Sequence, residues 1–453
     1  MKEKNTVCLM NDSFPPIIDG VANAVVNYCI YYQKNFGSAV AAVPYHPDAV
    51  DEAFPFPVIR YRSYDTTRLV RYRAGYPFSV EAIKQLKAKD PDLIHSHCPF
   101  MSTFLARTLR ELNGAPIVFT YHTKFDIDIA KTVPSRTLQE QAVKMVVNNI
   151  KACDEVWAVS RGAGENLRSM GYDGDYIIME NGVDFPRGRV PEETVQAAVH
   201  QFDLPEQLPV YLFIGRMMWY KGLKLIFDSL HRVLEEGKDF RMVLIGDGSD
   251  RPDMEAYAAE CGLSAKCLFL GEIRDRELLR AWYCRADLFL FPSSYDTNGL
   301  VVREAAACGL ASVLIAGSCA AEGVKDGVNG FLCEEHDEAL AALISSLWER
   351  RPAVKQAGIH AMNQLYLSWE ESVSRAAERY EIILERAASG ELDHQRRLSD
   401  SLLHTASNMI EGVERLREIR ELSKEELHAM YVWQKSHLGR FADGIWEKLN
   451  NII

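Results

Sequence analysis

A chain of 453 residues is too long for one small module and fits about two to four domains at roughly 100–200 residues each. Hydrophobic residues make up 47% and charged residues 25%, enough apolar surface for more than one core and no signature of disorder. The 51 Lys and Arg against 63 Asp and Glu leave a net charge of −12, which argues against a globally basic nucleic-acid binder.

The N-terminus MKEKNTVCLMNDSFPP holds four apolar residues, Val7 to Met10, before polar residues and prolines intervene, a pattern that does not fit a secretory signal. From there short apolar runs alternate with helix-length segments. The runs are Thr6–Met10, Ala39–Val43, Asp92–His95, Ile117–Tyr121, Glu155–Val159 and Ile177–Met179, with helical spacing between them over Ala22–Gln33, Ser79–Lys89 and Thr103–Leu112. Such alternation predicts βαβ units and a parallel sheet. Pro186, Pro191, Pro205 and Pro209 then break the rhythm and mark the expected domain boundary. A second series follows with Val210–Ile214, Arg241–Ile245, Cys267–Leu270, Leu288–Phe291 and Ser312–Ile315. The uncharged stretch Ala305 to Ala321 is short for a membrane span and is interrupted by Gly309, Ser312, Gly317 and Ser318; it reads as helix end, glycine turn and buried strand.

A helix is expected over Trp369–Leu384, punctuated by Ser389-Gly390. Beyond it Leu398, Leu402, Thr405, Met409, Gly412, Leu416 and Ile419 form a heptad-like stripe, and Ser423 with Glu426 makes a capping box for a second helix. This tail reads as a helical hairpin that either packs on its own chain or joins a homo-oligomer. The expected plan is therefore α/β: two doubly wound domains at 1–185 and 210–368, a linker at 186–209, a closing helix at 369–388 and a hairpin extension at 389–453. The ten cysteines are scattered, with no CxxC pair, and read as reduced thiols of a cytoplasmic protein.

Doubly wound sheets bind ligands beyond the carboxyl ends of their strands. After Val210–Ile214 comes Gly215-Arg216-Met217-Met218-Trp219-Tyr220-Lys221-Gly222. The glycine permits a sharp turn, and two cations five residues apart can converge on one anion, a diphosphate being the natural target; two solvated surface cations are the alternative. Further on, Gly299 precedes a helical run and leaves the backbone N–H groups of Leu300 and Val301 free for phosphate oxygens. Glu304, in the first turns of that helix, can reach ligand hydroxyls. Other patterns are weaker. Asp126-Ile127-Asp128 and Asp173-Gly174-Asp175 spell an Asp-x-Asp that arises by chance in a chain of this length. His95-Ser96-His97 places two imidazoles on one strand face and reads as strand-end residues near the cleft more readily than as half a metal site. Gly246-Asp247-Gly248 lacks the third glycine of a dinucleotide fingerprint, which disfavours a nicotinamide enzyme.

The runs GRMMWYKG, IGDGSDRPDMEAYA, ADLFLFPSSYDTNGLVVREAAACG and EGVKDGVNGFL resemble the donor domain of the retaining glycosyltransferases of family 4, and DGVANAVVNY, PDLIHSHCPF, VFTYHTKF, CDEVWAVS and ENGVD resemble its acceptor domain. The resemblance covers residues 5 to 384 in the family's order. It implies the GT-B fold, two facing Rossmann-like domains, and a glycosyltransferase. It also implies roles. Arg216 and Lys221 match the pair that binds the donor's diphosphate, with Gly215 in the same loop, and Gly299, Leu300 and Val301 match the backbone cradle. Glu304 matches the second acid of the family's Glu-x7-Glu motif, a ribose ligand. Gly20 matches the glycine that approaches the donor from the other domain, and His122 matches the histidine against the transferred sugar. The first acid of the motif is here Asp296, one methylene shorter than the family's Glu. Retention of configuration by a front-face route is implied, with no metal and no cofactor beyond the nucleotide sugar.

The acceptor is read from a different stretch. Residues 60–89 carry Arg60, Arg62, Arg68, Arg71, Arg73, Lys84, Lys87 and Lys89 against Asp65 and Glu81, interleaved with Tyr61, Tyr64, Tyr72, Tyr76 and Phe78. Cations with amphipathic aromatics suit an anionic membrane surface; arginines paired with acids elsewhere are the alternative. The Asp19-Gly20-Val21-Ala22 loop and Tyr121-His122-Thr123 resemble the lipid-glycosylating branch of the family, including diacylglycerol glucosyltransferases. The expectation is a peripheral enzyme on the cytoplasmic face that moves a hexose, from UDP-glucose or a similar donor, to a membrane glycerolipid. A transferase for a soluble acceptor, a sugar-nucleotide epimerase and a catalytically silent scaffold are the competing readings.

Overall fold

The computed structural model describes residues 4–17, 19–66 and 73–392. Two parallel sheets account for most of them. The first contains β1 (Thr6–Met10), β2 (Ser38–Pro44), β3 (Val58–Tyr61), β6 (Leu93–Ser96), β7 (Ile117–Tyr121), β8 (Glu155–Ala158) and β9 (Ile177–Ile178) in the order β3-β2-β1-β6-β7-β8-β9, with β4 (Ser63–Tyr64) and β5 (Ala74–Gly75) pairing separately as a short antiparallel ladder. Its helices are α1 (Gly20–Asn35), α2 (Val80–Lys89), α3 (Met101–Asn113), α4 (Phe125–Thr132), α5 (Arg136–Lys151) and α6 (Arg161–Ser169). The second sheet runs β12-β11-β10-β13-β14-β15, from β10 (Val210–Ile214), β11 (Arg241–Ile245), β12 (Cys267–Gly271), β13 (Leu288–Phe291), β14 (Ser312–Ile315) and β15 (Phe331–Cys333). Around it lie α7 (Glu192–Val199), α8 (Leu223–Glu235), α9 (Arg251–Glu260), α10 (Arg276–Arg285), α11 (Leu300–Ala307), α12 (Asp337–Glu349) and α13 (Arg351–Gln364).

The central strands are buried on both faces, β7 and β10 at every residue, because helices cover both sides of a parallel sheet. That is why they read as continuous apolar runs. In each sheet the strand order reverses once, between β1 and β6 and between β10 and β13, and a crevice opens at the carboxyl ends of those strands.

The stretch 186–209 is more than a linker. Pro191 serves as the N-cap of α7, and Val195 and Val199 enter the core of the second domain together with Val190. The chain crosses between domains at Glu180–Asp184 and again just before α14 (Trp369–Ala388). The two crossings touch: the Val183 N–H donates to Leu367 O at 2.9 Å, and a Cβ on Gly182 would lie 2.3 Å from the Trp369 nitrogen. Helix α14 opens with a capping box of Ser368 and Glu371, then returns to the first domain, where Trp369, Val373, Ala376, Tyr380 and Ile383 pack with Val7, Leu9 and Tyr28. The expected hairpin, with Ser423 and Glu426, lies outside the described residues apart from its first four positions. Among the described residues no helix is long and apolar enough to cross a membrane.

The domains face one another across bonded contacts. Glu322 from the second domain accepts from the backbone N–H groups of Arg161 and Gly162 at 2.7 and 2.6 Å, capping α6 of the first, while Ser160 Oγ donates to Thr297 O at 2.6 Å.

Candidate active site

On the donor side, β10 ends into Gly215 and Arg216. Arg216 is exposed, and the acid that feels its charge is Asp128 of α4, whose carboxyl is lifted by burial and held back by Lys131 and Arg216. Asp128, half of an Asp-x-Asp that carried no assigned role, thus stands opposite the proposed diphosphate ligand. Lys221 is turned onto Asp296, its Nζ donating to Oδ2 at 2.5 Å. The loop can hold this arrangement because Gly222 adopts φ +82° against Pro292, where a Cβ would meet the Pro292 carbonyl oxygen at 2.2 Å.

Gly299 is the N-cap of α11 in the left-handed region, φ +59°, and supplies no side-chain cap. The first N–H groups of a helix have no partner within it, so Leu300 and Val301 present theirs at the end of the sheet. Behind them Glu304 is held by two residues that sequence reasoning missed: Arg276 donates to Oε1 at 2.8 Å and Tyr283 OH to Oε2 at 2.9 Å. Burial pushes the Glu304 carboxyl up while Arg276 and Tyr283 draw it back. Arg276 also bonds Asp184 on the first crossing and lies over the Phe185 ring at 4.1 Å. The apolar neighbours of Glu304 were a sequence signal that a buried carboxylate there requires a cation, although they could not name one 28 residues upstream.

On the facing side Gly20 opens α1, exposed, and a Cβ there would meet nothing within 4 Å; its own chain does not demand glycine. His122 follows β7, and its Nε2 lies 2.8 Å from His97 Nδ1. Burial drives its imidazole down to about 3, so it is neutral throughout the physiological range. His95 has Tyr380 OH at 2.5 Å and Thr120 Oγ1 at 2.7 Å, one on each ring nitrogen, and is thereby occupied as a strut. Lys131 of α4 reaches across the cleft to donate to Tyr295 OH at 2.9 Å and sits over the rings of Tyr295 and Tyr220 at 4.3 and 4.6 Å.

Most buried polar atoms in proteins find a partner. Here Asp19 Oδ2, His97 Nε2, Asn181 Oδ1, Ser293 Oγ, Ser318 Oγ and both amide atoms of Asn298 have none among the described residues, and each lies in a segment just beyond the carboxyl end of a strand.

The 60–89 segment divides between paired arginines and exposed lysines. Arg60 is structural: its guanidinium grips both oxygens of Asp51 and donates to the Pro44 and Pro15 carbonyls at 2.9 and 2.7 Å. Arg73 bonds Tyr45 O and Ser63 Oγ, and Arg62 lies over the Tyr64 ring. Lys84, Lys87 and Lys89 are exposed on α2. Arg68, Arg71 and Tyr72 lie outside the described residues.

Comparison with known proteins agrees with this architecture. Residues 196–364 match the model for glycosyl transferases group 1, and residues 18–187 match that for Glycosyltransferase Family 4. The chain is 30% identical over 305 residues to a D-inositol 3-phosphate glycosyltransferase of Xylanimonas cellulosilytica, covering 64% of this chain and 71% of that protein. It is 23% identical over 351 residues to the alpha-monoglucosyldiacylglycerol synthase of Acholeplasma laidlawii, covering 74% and 86%. Among solved structures, Anabaena HepE in complex with UDP and glucose superposes with a TM-score of 0.66 at 17% identity, over 83% of this chain and 99% of that one. The chain belongs to the group 1/family 4 glycosyltransferases, and its two facing sheets are the GT-B fold of that family.

Proposed function

We propose that this glycosyltransferase moves a hexose from a nucleotide sugar, UDP-glucose or a close analogue, to a hydroxyl of a membrane glycerolipid with retention of anomeric configuration. The observation that carries the reading is that loops following the strands of both sheets hold partnerless buried polar atoms, His97 Nε2 and Asn181 Oδ1 in the first domain and Ser293 Oγ and the Asn298 amide in the second. A sugar nucleotide already has a good leaving group, so the protein's task is to stabilise charge as it builds on the diphosphate. Arg216, Lys221 and the N–H groups of Leu300 and Val301 are fixed where that charge develops. Glu304 takes the ribose hydroxyls, Asp296 the sugar, and Gly20 leaves room for the donor from the opposite side. His122 is neutral and orients the sugar; it is not the base. In the front-face route the anomeric carbon–phosphate oxygen bond breaks, the acceptor oxygen bonds the same face, and its proton passes to the leaving phosphate. This needs no metal and no covalent intermediate. Contacts such as Glu322 on α6 hold the cleft shut and exclude water.

The lipid acceptor is supported by the Acholeplasma relative, named for a glucosyldiacylglycerol, and by the exposed lysines of α2, which suit an anionic cytoplasmic membrane face. The Xylanimonas relative, named for an inositol phosphate, favours a second reading with a soluble polyol phosphate acceptor. Mass spectrometry of products from UDP-glucose with diacylglycerol vesicles or with inositol phosphate separates the two. Glucosyl lipid is the expected product. Transfer to the polyol phosphate alone overturns the lipid reading, and failure to bind any UDP- or GDP-sugar in titration calorimetry overturns both.

A further inference from the structure

Asp296 sits between two residues that the opposite domain holds. Lys131, near the end of α4, donates from Nζ to Tyr295 OH at 2.9 Å, and Ser160, the N-cap of α6, donates from Oγ to Thr297 O at 2.6 Å. The Lys131 ammonium also lies over two rings, Tyr295 at 4.3 Å and Tyr220 at 4.6 Å, whose centroids are 4.8 Å apart. Those tyrosines are the chain neighbours of an ion pair: Tyr220 precedes Lys221 and Tyr295 precedes Asp296. Lys221 Nζ lies 5.6 Å from the centre of the same Tyr220 ring and bonds Asp296 Oδ2 at 2.5 Å. One cation from the first domain thus clamps the two loops whose charged side chains meet in the second. Lys131 is exposed, so burial does not hold it there. A lysine in water gives up rotamer freedom only for a compensating attraction, here two ring faces and a phenol oxygen.

We propose that Lys131 is a positioning residue for the Lys221–Asp296 pair: closing the first domain onto the second seats its ammonium between Tyr220 and Tyr295 and, with Ser160 on Thr297, fixes the loop that presents Asp296 to the transferred sugar. The two bonds flank Asp296 along the chain, at residues 295 and 297, so rotation of the backbone at 296 is restrained from both ends. In an open cleft neither bond exists, and the pair keeps only the restraints of its own domain. Arg216, Lys221 and the N–H groups of Leu300 and Val301 all belong to the second domain, so nucleotide binding does not require the clamp. The sugar site is completed only when the acceptor domain has arrived, which limits transfer to water. This inference rests on the reading of Asp296 as the acid that contacts the sugar.

Turnover of UDP-glucose with diacylglycerol vesicles, set beside UDP affinity from calorimetry, tests the clamp in the full chain. Lys131→Met keeps the stem and removes the charge; it should lower kcat about tenfold, the scale of a lost cation–π contact with its hydrogen bond, and leave UDP affinity within about twofold. Lys131→Arg restores both attractions and should recover kcat to within about threefold of wild type. A residue that acts through Asp296 has little left to do once that acid is gone, so adding Lys131→Met to Asp296→Asn should slow turnover by less than about twofold more. The full loss in that background marks Lys131 as an independent contact and overturns the proposal. Undiminished turnover by Asp296→Asn alone overturns the reading of Asp296 as the sugar acid, and the proposal with it. Proton–carbon spectra of the chain labelled with 13C-lysine need no sugar. A lysine ε-methylene signal displaced upfield by the two rings, and absent from Lys131→Met, is expected in the chain alone or with UDP. A Lys131 signal at the free-lysine position in both states overturns the proposal whatever the donor and acceptor.

Discussion

Lys221 Nζ donates to Asp296 Oδ2 at 2.5 Å, with the two side chains only 13% and 21% exposed. Asp296, one methylene shorter than the glutamate that the family resemblance leads one to expect, therefore still reaches Lys221, the cation of the proposed diphosphate site. Removing its charge frees Lys221 for phosphate while taking away the sugar contact. Asp296→Asn should bind UDP a few-fold more tightly yet turn over about a hundredfold more slowly, the scale of losing one preorganised polar contact. Lys221→Ala should weaken UDP binding about tenfold or more, as expected for a charge-assisted bond. Titration calorimetry with steady-state rates checks both; looser UDP binding by Asp296→Asn would refute the pairing.

Glu304 is the opposite kind of carboxylate. Burial lifts its native pKa despite Arg276 and Tyr283, so the folded state disfavours its ionised form. The penalty is absent below the ordinary glutamate range, grows as pH rises from there to the raised native value, and is constant above it. Glu304→Gln should melt a few degrees higher than wild type at neutral pH, with the gap closing in acid, while UDP affinity falls about tenfold or more through loss of a charged hydrogen-bond acceptor. Thermal melts across pH, with and without UDP, test the pair of effects, and a lower Tm at pH 7 would contradict the first.

His95, His97 and His122 are all held far below the ordinary histidine value by burial, His122 to about 3. As pH drops below about 6.5 the unfolded chain takes up protons at these residues and the native protein does not. Stability should therefore begin to fall near pH 6.5, well above the carboxylate range, with a slope reaching roughly 4 kcal/mol per pH unit if all three act. His97→Asn should reduce the slope by about a third. Urea midpoints between neutral and acidic pH measure it; a midpoint flat to the carboxylate range would count against the cluster.

Arg60 and the lysines of α2 should separate stability from membrane affinity. Arg60→Ala leaves Asp51 and two carbonyls without their donor and should destabilise by about 3 kcal/mol, as breaking a largely buried pair does. Replacing Lys84, Lys87 and Lys89 together by Gln should leave the Tm in place and weaken co-sedimentation with anionic vesicles, at about 1 kcal/mol per lysine. Vesicle binding unchanged in the triple variant would remove α2 from the membrane proposal.

Strands such as Ile117–Tyr121 and Val210–Ile214 were legible residue for residue because both faces are buried. Val58–Tyr61 was not: it is an edge strand in which Arg60 interrupts the apolar run. The prolines of 186–209 concealed α7, for which Pro191 is a start and not a break. In the cleft, ordered motifs exposed Arg216, Gly299 and Glu304. Arg276, the partner of Glu304, and Asp128, which faces Arg216, come from distant elements, and only the fold brings them together.

The paired crossings at Val183 and Leu367 have one more consequence. The donor domain leaves and re-enters the acceptor domain at two adjacent crossings, bonded by Val183 N–H to Leu367 O and by Ser372 Oγ to Glu180 O, as an insert whose two ends coincide. Such an insert can be exchanged between related chains with two cuts and no change in the spacing of its host. The choice of sugar and the choice of acceptor can then be inherited separately, provided that Gly182 stays glycine where the two strands of the junction press together.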